Sequence, residues 1–242
     1  MVARNLVWCG TGNETIDTHD AATGAFVAKL RGHSLLMKSM CVSHDKVYSV
    51  SYDKTVAVWS ANSCESLTSL AKHTAGVKCV SSGDRIVVSG ALDGAVCVWD
   101  VTADKLICNF RPHTRAVNCI AVDANGYIWT GSDDMTVRVV DARSGKAIAR
   151  PGSHTSYVTV LLYADGAVWS GSDDCTVRVW DATTYGPLRK LVAHTRTVTC
   201  FAYRDGTVYS GSSDGCVFSW STSVCYYYYY SHVLCRHMHA GE

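Results

Sequence analysis

Proline is scarce in this chain, with three among 242 residues. No run of 18 apolar residues occurs, so no transmembrane helix is expected. The opening MVARNLVWCG has too short an apolar part for a secretory signal. Neither sign of charge prevails: 22 Lys and Arg face 21 Asp and Glu. That balance argues against the basic field of a nucleic-acid binder. Twelve cysteines are present but no Cys-x-x-Cys pair. A chain of this length needs no disulfide staples, so they read as thiols. These absences place the protein in the cytoplasm, with the nucleus as the other option. Helical periodicity is also missing. What the chain does have is 48% hydrophobic residues, enough for a sizeable core.

It also has a period. His33, His73, His113, His154 and His194 are spaced 40, 40, 41 and 40 residues apart. The copy HTSYVTVLLYADGAVWSGSDDCTVRVWD is followed by HTRTVTCFAYRDGTVYSGSSDGCVFSWS. A fixed repeat of this size marks a stacked or circular repeat architecture. Each copy reads as four short strands. An apolar run such as VNCIAV is followed by a turn such as Asn125-Gly126, Asp165-Gly166 or Asp205-Gly206. Then come AVWSGS-like and TVRVW-like runs, and a weaker fourth such as PLRKLV. Period-2 alternation, β-branched residues and Gly/Asp turns point to antiparallel strands. Cys79, Cys119 and Cys200 each lie six residues after a repeat histidine, so they are expected to pack as small core side chains.

With Trp99-Asp100 and Trp180-Asp181 closing their copies, and Gly32-His33 opening one, the chain resembles the WD-repeat family of β-propellers. The pair is degenerate at Trp59-Ser60, Val140-Asp141 and Trp220-Ser221. The resemblance implies an all-β propeller of six four-stranded blades packed around a channel. The propeller is expected over residues 1–223, with repeats at about 1–32, 33–72, 73–112, 113–153, 154–193 and 194–223. The first copy, LVWCGTGNETIDTHDAATGAFVAKL, lacks a first strand. Asn13 and His19-Asp20 replace its turn Asp and its Trp-Asp. In this family the C-terminal segment usually completes such a blade and removes a sheet edge.

Each good copy carries a His, a Ser or Thr, an Asp and a Trp. The sets are His33/Ser49/Asp53/Trp59, His73/Ser89/Asp93/Trp99, His154/Ser170/Asp174/Trp180 and His194/Ser210/Asp214/Trp220. The fourth blade has His113, Thr130 and Asp134, with Val140 in place of Trp. Ser, His and Asp together invite a hydrolase reading. A set present four or five times argues against it, because an active site is normally present once. The resemblance implies instead a buried hydrogen-bond chain from Asp to His to hydroxyl to indole. Lacking the Trp, the fourth blade is expected to be least well tied, and the first looser still. The pairs Asp133-Asp134 and Asp173-Asp174 suggest paired carboxylates or a cation site. The second of each belongs to the structural set and the first to an exposed turn. No metal, cofactor or catalytic residue is expected.

Function then belongs where repeats differ on an exposed face. The resemblance implies a partner surface on the top face, three and five residues after each His and just before each turn Asp. Those positions hold Leu36 and Lys38, Gly76 and Lys78, Ala116 and Asn118, Tyr157 and Thr159, and Thr197 and Thr199. The turn positions hold Tyr52, Leu92, Asp133, Asp173 and Ser213. Leu36, Lys38, Tyr52, Lys78 and Leu92 form a basic and apolar sector, whereas Asp133, Tyr157 and Asp173 form an acidic one. A protein or peptide partner lying across this face is expected, without membrane or nucleic acid. Val140-Asp141-Ala142-Arg143 is similar to the Trp-Asp-x-Arg ending of cullin-docking propellers, without its Trp.

The pattern stops after about Ser223, and residues 224–242 form an irregular tail. Tyr226–Tyr230 suit the fourth strand of blade six, and His232–His239 the missing first strand of blade one. Cys235, His237 and His239 alternate as zinc ligands would, but no second ligand cluster accompanies them. Two readings stay open: a self-contained scaffold or adaptor, and the targeting propeller of a longer enzyme such as a phosphatase or ubiquitin ligase.

Overall fold

The computed structural model describes residues 1–12 and 14–222, together with the backbone of 232–233. It is all-β. Six antiparallel sheets follow one another along the chain, each taking four consecutive strands in order. Sheet four is representative, with Val117–Val122, Tyr127–Ser132, Thr136–Asp141 and Ala147–Ser153. The first strands of sheets two to six pack on one another in turn and so line the axis. The fourth strands face outward.

Turn chemistry sets the registers. Asp165-Gly166 and Asp205-Gly206 both take positive φ, 47° and 75° in the first pair and 47° and 74° in the second. That is the type I′ geometry whose twist matches antiparallel strands. Arg4 and Asn5 form a similar turn at φ 50° and 62°. It folds Val2–Ala3 back onto Leu6–Val7, so sheet one does have a first strand, only two residues long. This corrects the expectation that the C-terminal segment supplies it. His232–Val233 pairs instead with Phe218–Ser219, as the fourth strand of sheet six. Tyr226–Tyr230, Cys235, His237, His239 and Asn13 lie outside the described residues.

The core lies between sheets. One apolar cluster fills each of the five contacts from sheets one and two through to sheets five and six. Each sheet therefore turns a leading face to the sheet before it and a trailing face to the sheet after. In the contact between sheets four and five, Cys119, Trp129, Val137 and Val139 of one pack with Val158, Leu161, Val168 and Trp180 of the other. Cys79 and Cys119 are buried over glycines of the neighbouring strand, Cys79 opposite Gly90 and Cys119 opposite Gly131. Cys200 is exposed, contrary to the core role expected of it, because no seventh sheet covers its side among the described residues.

Candidate functional site

The histidine sets are buried chains of hydrogen bonds. In sheet two, Trp59 Nε1 donates to Ser49 Oγ at 2.8 Å, and that hydroxyl lies 2.8 Å from His33 Nε2. His33 Nδ1 lies 2.8 Å from Asp53 Oδ2. Donor logic orders the chain. An indole N–H only donates, so the serine oxygen accepts from it and the serine O–H donates to Nε2. Nδ1 then carries the ring proton and gives it to the aspartate. Sheet five repeats this through Trp180, Ser170, His154 and Asp174 at 2.9, 2.8 and 2.8 Å. Sheet six does so through Trp220, Ser210, His194 and Asp214 at 2.8, 2.8 and 3.0 Å.

Such a serine is no nucleophile. Ser49, Ser89, Ser170 and Ser210 are fully buried, and their oxygens are engaged on both sides. Burial pushes the His113 and His154 imidazoles down despite the neighbouring aspartates, which suits neutral rings. Burial would raise Asp134, but bonds from Thr136 and His113 outweigh it and hold the carboxyl at about 2. The segment Gly211-Ser212-Ser213-Asp214-Gly215 matches the Gly-x-Ser-x-Gly pattern of hydrolases. Here it is a strand-to-strand turn, and Asp214 is engaged by His194.

Two sets depart from the expected chain. In sheet three His73 Nε2 bonds Ser89 at 2.7 Å and Trp99 follows at 2.8 Å. Asp93, however, accepts from Thr74 Oγ1 at 2.8 Å, and His73 Nδ1 has Cys97 Sγ at 3.9 Å as its neighbour. One difference lies two residues past the aspartate, although sheet six keeps its His194–Asp214 link with Cys216 at that place. Thr55, Thr136 and Thr176 donate to Asp53, Asp134 and Asp174 at 2.6 Å, fixing each carboxylate against its histidine. Sheet three has Ala95 there, which has no hydroxyl. These threonines were missed in the sequence, although three copies carry them at one offset. Sheet four keeps Asp134, His113 and Thr130 linked at 2.9 and 2.8 Å without a tryptophan at 140. The Thr130 hydroxyl reaches the Arg138 carbonyl at 3.3 Å, and Trp129 donates to buried Asp123 at 3.0 Å. Sheet three, not sheet four, therefore has the weakest aspartate–histidine link of the five.

The differing positions do come together. The backbone N–H just before each turn Asp donates to the carbonyl three residues after the histidine. Tyr52 bonds Leu36 at 3.1 Å, Leu92 bonds Gly76 at 2.9 Å, and Asp133 bonds Ala116 at 3.0 Å. Asp173 bonds Tyr157 and Ser213 bonds Thr197, both at 3.0 Å. The rim is therefore held by the backbone in all five copies.

On this rim the Tyr52 ring lies over Gly76, beside Leu92. Lys38 Nζ stands 5.3 Å from the centre of that ring. Leu36, Leu92 and Leu35 are exposed, and Leu35 was not anticipated from the sequence. Lys78 Nζ donates to Asn118 Oδ1 at 2.5 Å, and Asn118 Nδ2 donates to Asp133 Oδ1 at 2.6 Å. A polar bridge thus joins the basic sector to the acidic one. Asn118 also donates to the Val158 carbonyl at 2.8 Å, and Thr159 to the Val198 carbonyl at 2.5 Å. Those two residues tie neighbouring sheets together. Tyr157 stands exposed on the acidic side. Thr199 and Ser213 are exposed on sheet six. Arg115 and Arg196 are exposed, and their carbonyls accept from Ser132 and Ser212 at 3.4 and 3.1 Å.

The family model for the WD domain, G-beta repeat, matches residues 24–60, 64–100, 104–141, 145–181 and 185–221. Each matched segment opens near the outer strand of one sheet and closes on the third strand of the next. No curated protein matches the chain. Among solved structures, the computationally designed Ika8 protein is similar, with a TM-score of 0.84 and 29% identity. The match covers 98% of this chain and 72% of that one. With five matched repeats on six four-stranded sheets, the chain belongs to the WD-repeat family of β-propellers, a fold that generally serves protein interaction.

Proposed function

We propose that the protein is a non-catalytic adaptor that takes a segment of a protein partner across its rim. The observation that carries this reading is the grouping of exposed Leu36 and Leu92 with Tyr52, whose ring covers Gly76, together with the Lys78–Asn118–Asp133 bridge. Apolar area rimmed by fixed charges is what a peptide with one greasy and one charged anchor needs. Tyr157 offers a rigid aromatic with a polar tip beside Asp173. Lys38 is only partly committed, to the face of Tyr52. Most of its residues sit on short turns at strand ends that backbone hydrogen bonds pin to one another, so binding costs little ordering of the adaptor itself.

A cytoplasmic setting suits the chemistry. Cys79, Cys97 and Cys119 are buried as thiol packing groups. A fluorescent fusion restricted to a secretory compartment would contradict it. The binding test is affinity purification of the whole chain and of a Tyr157→Ala/Asp173→Ala variant. The variant is expected to lose its specific partners by tenfold or more. An unchanged set of partners would refute the placement of the site.

A further inference from the structure

At the strand ends away from the rim, the contacts between sheets are not closed alike. Between sheets four and five, Tyr127 meets Tyr185 with ring centres 6.2 Å apart. Leu6 and Cys64 join the apolar cluster between sheets one and two, and Ile86 and Phe110 join the one between sheets three and four. Sheets two and three meet differently. Lys46, which opens a second strand as Tyr127 does, donates to Asp104 Oδ2 at 2.6 Å and to the Val101 carbonyl at 2.9 Å. Asp104, in the loop before a fourth strand as Tyr185 is, also accepts from the Tyr48 hydroxyl at 3.4 Å. Beside this polar contact lies a cavity of about 640 Å³, lined by His44, Asp45, Lys46, Arg85, Val101 and Thr102. That volume is within the range of small-ligand sites.

The carboxylates at this cavity are already answered. Asp45 is paired with Arg4, and Asp104 with Lys46. The remaining donors are not. The Arg85 guanidinium and the Thr102 hydroxyl have no partner among the described residues. His44 Nδ1 lies 3.2 Å from Ser43 Oγ. Accepting from that hydroxyl, Nδ1 leaves the ring proton on Nε2. Backbone bonds hold the walls in place: the Ala61 N–H donates to the Asp45 carbonyl at 2.8 Å, and the Val101 N–H to the Arg85 carbonyl at 3.2 Å. Three cations, Arg4, Lys46 and Arg85, thus face two carboxylates, Asp45 and Asp104. A guanidinium, an imidazole N–H and a hydroxyl on one cavity can serve three oxygens of a tetrahedral oxyanion, one more than a planar carboxylate offers.

We propose that this cavity binds the phosphate group of a phosphate monoester, with Arg85 as its main contact. Difference between copies located the rim, and it singles out this contact between sheets as well. The cavity uses none of the rim residues, so it stands apart from the adaptor reading.

The test titrates inorganic phosphate, O-phosphoserine and glycerol 3-phosphate into the whole chain and follows its backbone amide resonances. Inorganic phosphate is expected to give saturable shifts centred on residues 43–46, 85 and 101–104. Arg85→Glu, a change at an exposed site, is expected to raise the dissociation constant at least tenfold and to leave the melting temperature unchanged. Arg150→Glu, at an exposed arginine on the outer strand of sheet four, is expected to leave binding unchanged. The tighter of the two esters tells the source of the ligand: O-phosphoserine a partner's modified side chain, glycerol 3-phosphate a free ester. Shifts that do not saturate, or that centre elsewhere, would overturn the proposal. So would an Arg85→Glu chain that binds as tightly as the unaltered one, an equal loss with Arg150→Glu, or failure of both esters to bind. The Tyr157/Asp173 variant is expected to bind phosphate normally, so failure of the rim site and failure of this cavity are read separately.

Discussion

At the scale of single residues, recurring polar side chains build the fold and differing ones face outward. Ala95 gives the most direct local test. Ala95→Thr adds the hydroxyl that holds Asp53, Asp134 and Asp174 in place, and is expected to stabilise the protein by roughly 0.5–1.5 kcal/mol, the usual net worth of a hydrogen bond. Urea unfolding measures this, and a loss of stability would mean that Asp93 has no room to swing back to His73. The unlinked His73 also predicts a response to acid. Burial lowers it from 6.5 to about 4, with Asp93 opposing. As pH falls through that window the unfolded chain takes up a proton that the folded chain refuses. Stability therefore declines between about pH 6.5 and 4, by up to roughly 3 kcal/mol from this group alone. Asp134, held at about 2, adds a second loss below the unfolded carboxylate range. His73→Gln is expected to flatten the upper decline in a pH series of denaturation midpoints. An unchanged slope would exclude His73 as its source.

At the scale of strands and sheets, much was legible in the sequence. The histidine spacing, the Asp-Gly turns and the period-2 runs carry sheets two to six. The hydroxyl–histidine–aspartate grouping follows from near-constant offsets in the copies of sheets two to six. What stayed hidden depends on contacts between copies. Nothing in VKCVSS or TVTCFAY says that Cys79 is covered and Cys200 is not, because the cover over Cys79 comes from a sheet some 40 residues ahead. The links from Lys78 to Asn118 and from Asn118 to Val158 cross between sheets in the same way. The first strand of sheet one escaped notice because two residues, Val2–Ala3, are too few to show a period. The glycines opposite these cysteines turn this into a prediction. Gly131→Ala presses a methyl group onto Val158 and Cys119 at 2.5 and 2.6 Å, and is expected to cost about 1–3 kcal/mol. Gly211→Ala meets Cys200 alone and is expected to cost clearly less. Equal losses in melting temperature would contradict this difference between the two glycines.

At the scale of the whole molecule, five sheet-to-sheet contacts are closed and the trailing face of sheet six is uncovered by the described residues. Thiol reactivity reports on this. Cys200 is expected to label quickly, while buried Cys79, whose thiol burial pushes up to about 12, and buried Cys119 stay unlabelled until unfolding. Peptide-resolved alkylation of the native protein makes the comparison. Labelling of Cys200 as slow as that of Cys119 would mean that the face is covered in solution.

The central claim is that repeated polar residues hold the propeller together while the differing rim residues bind. It is tested most directly by measuring partner recovery and melting temperature together for Ser170→Ala and for Tyr157→Ala/Asp173→Ala. Removing the Ser170 hydroxyl strands His154 Nε2 and Trp180 Nε1, and is expected to cost roughly 1–3 kcal/mol of stability. The rim variant is expected to melt where the unaltered protein does and to recover at least tenfold less partner. A stable Ser170→Ala protein, or a rim variant that keeps its partners, would contradict the account.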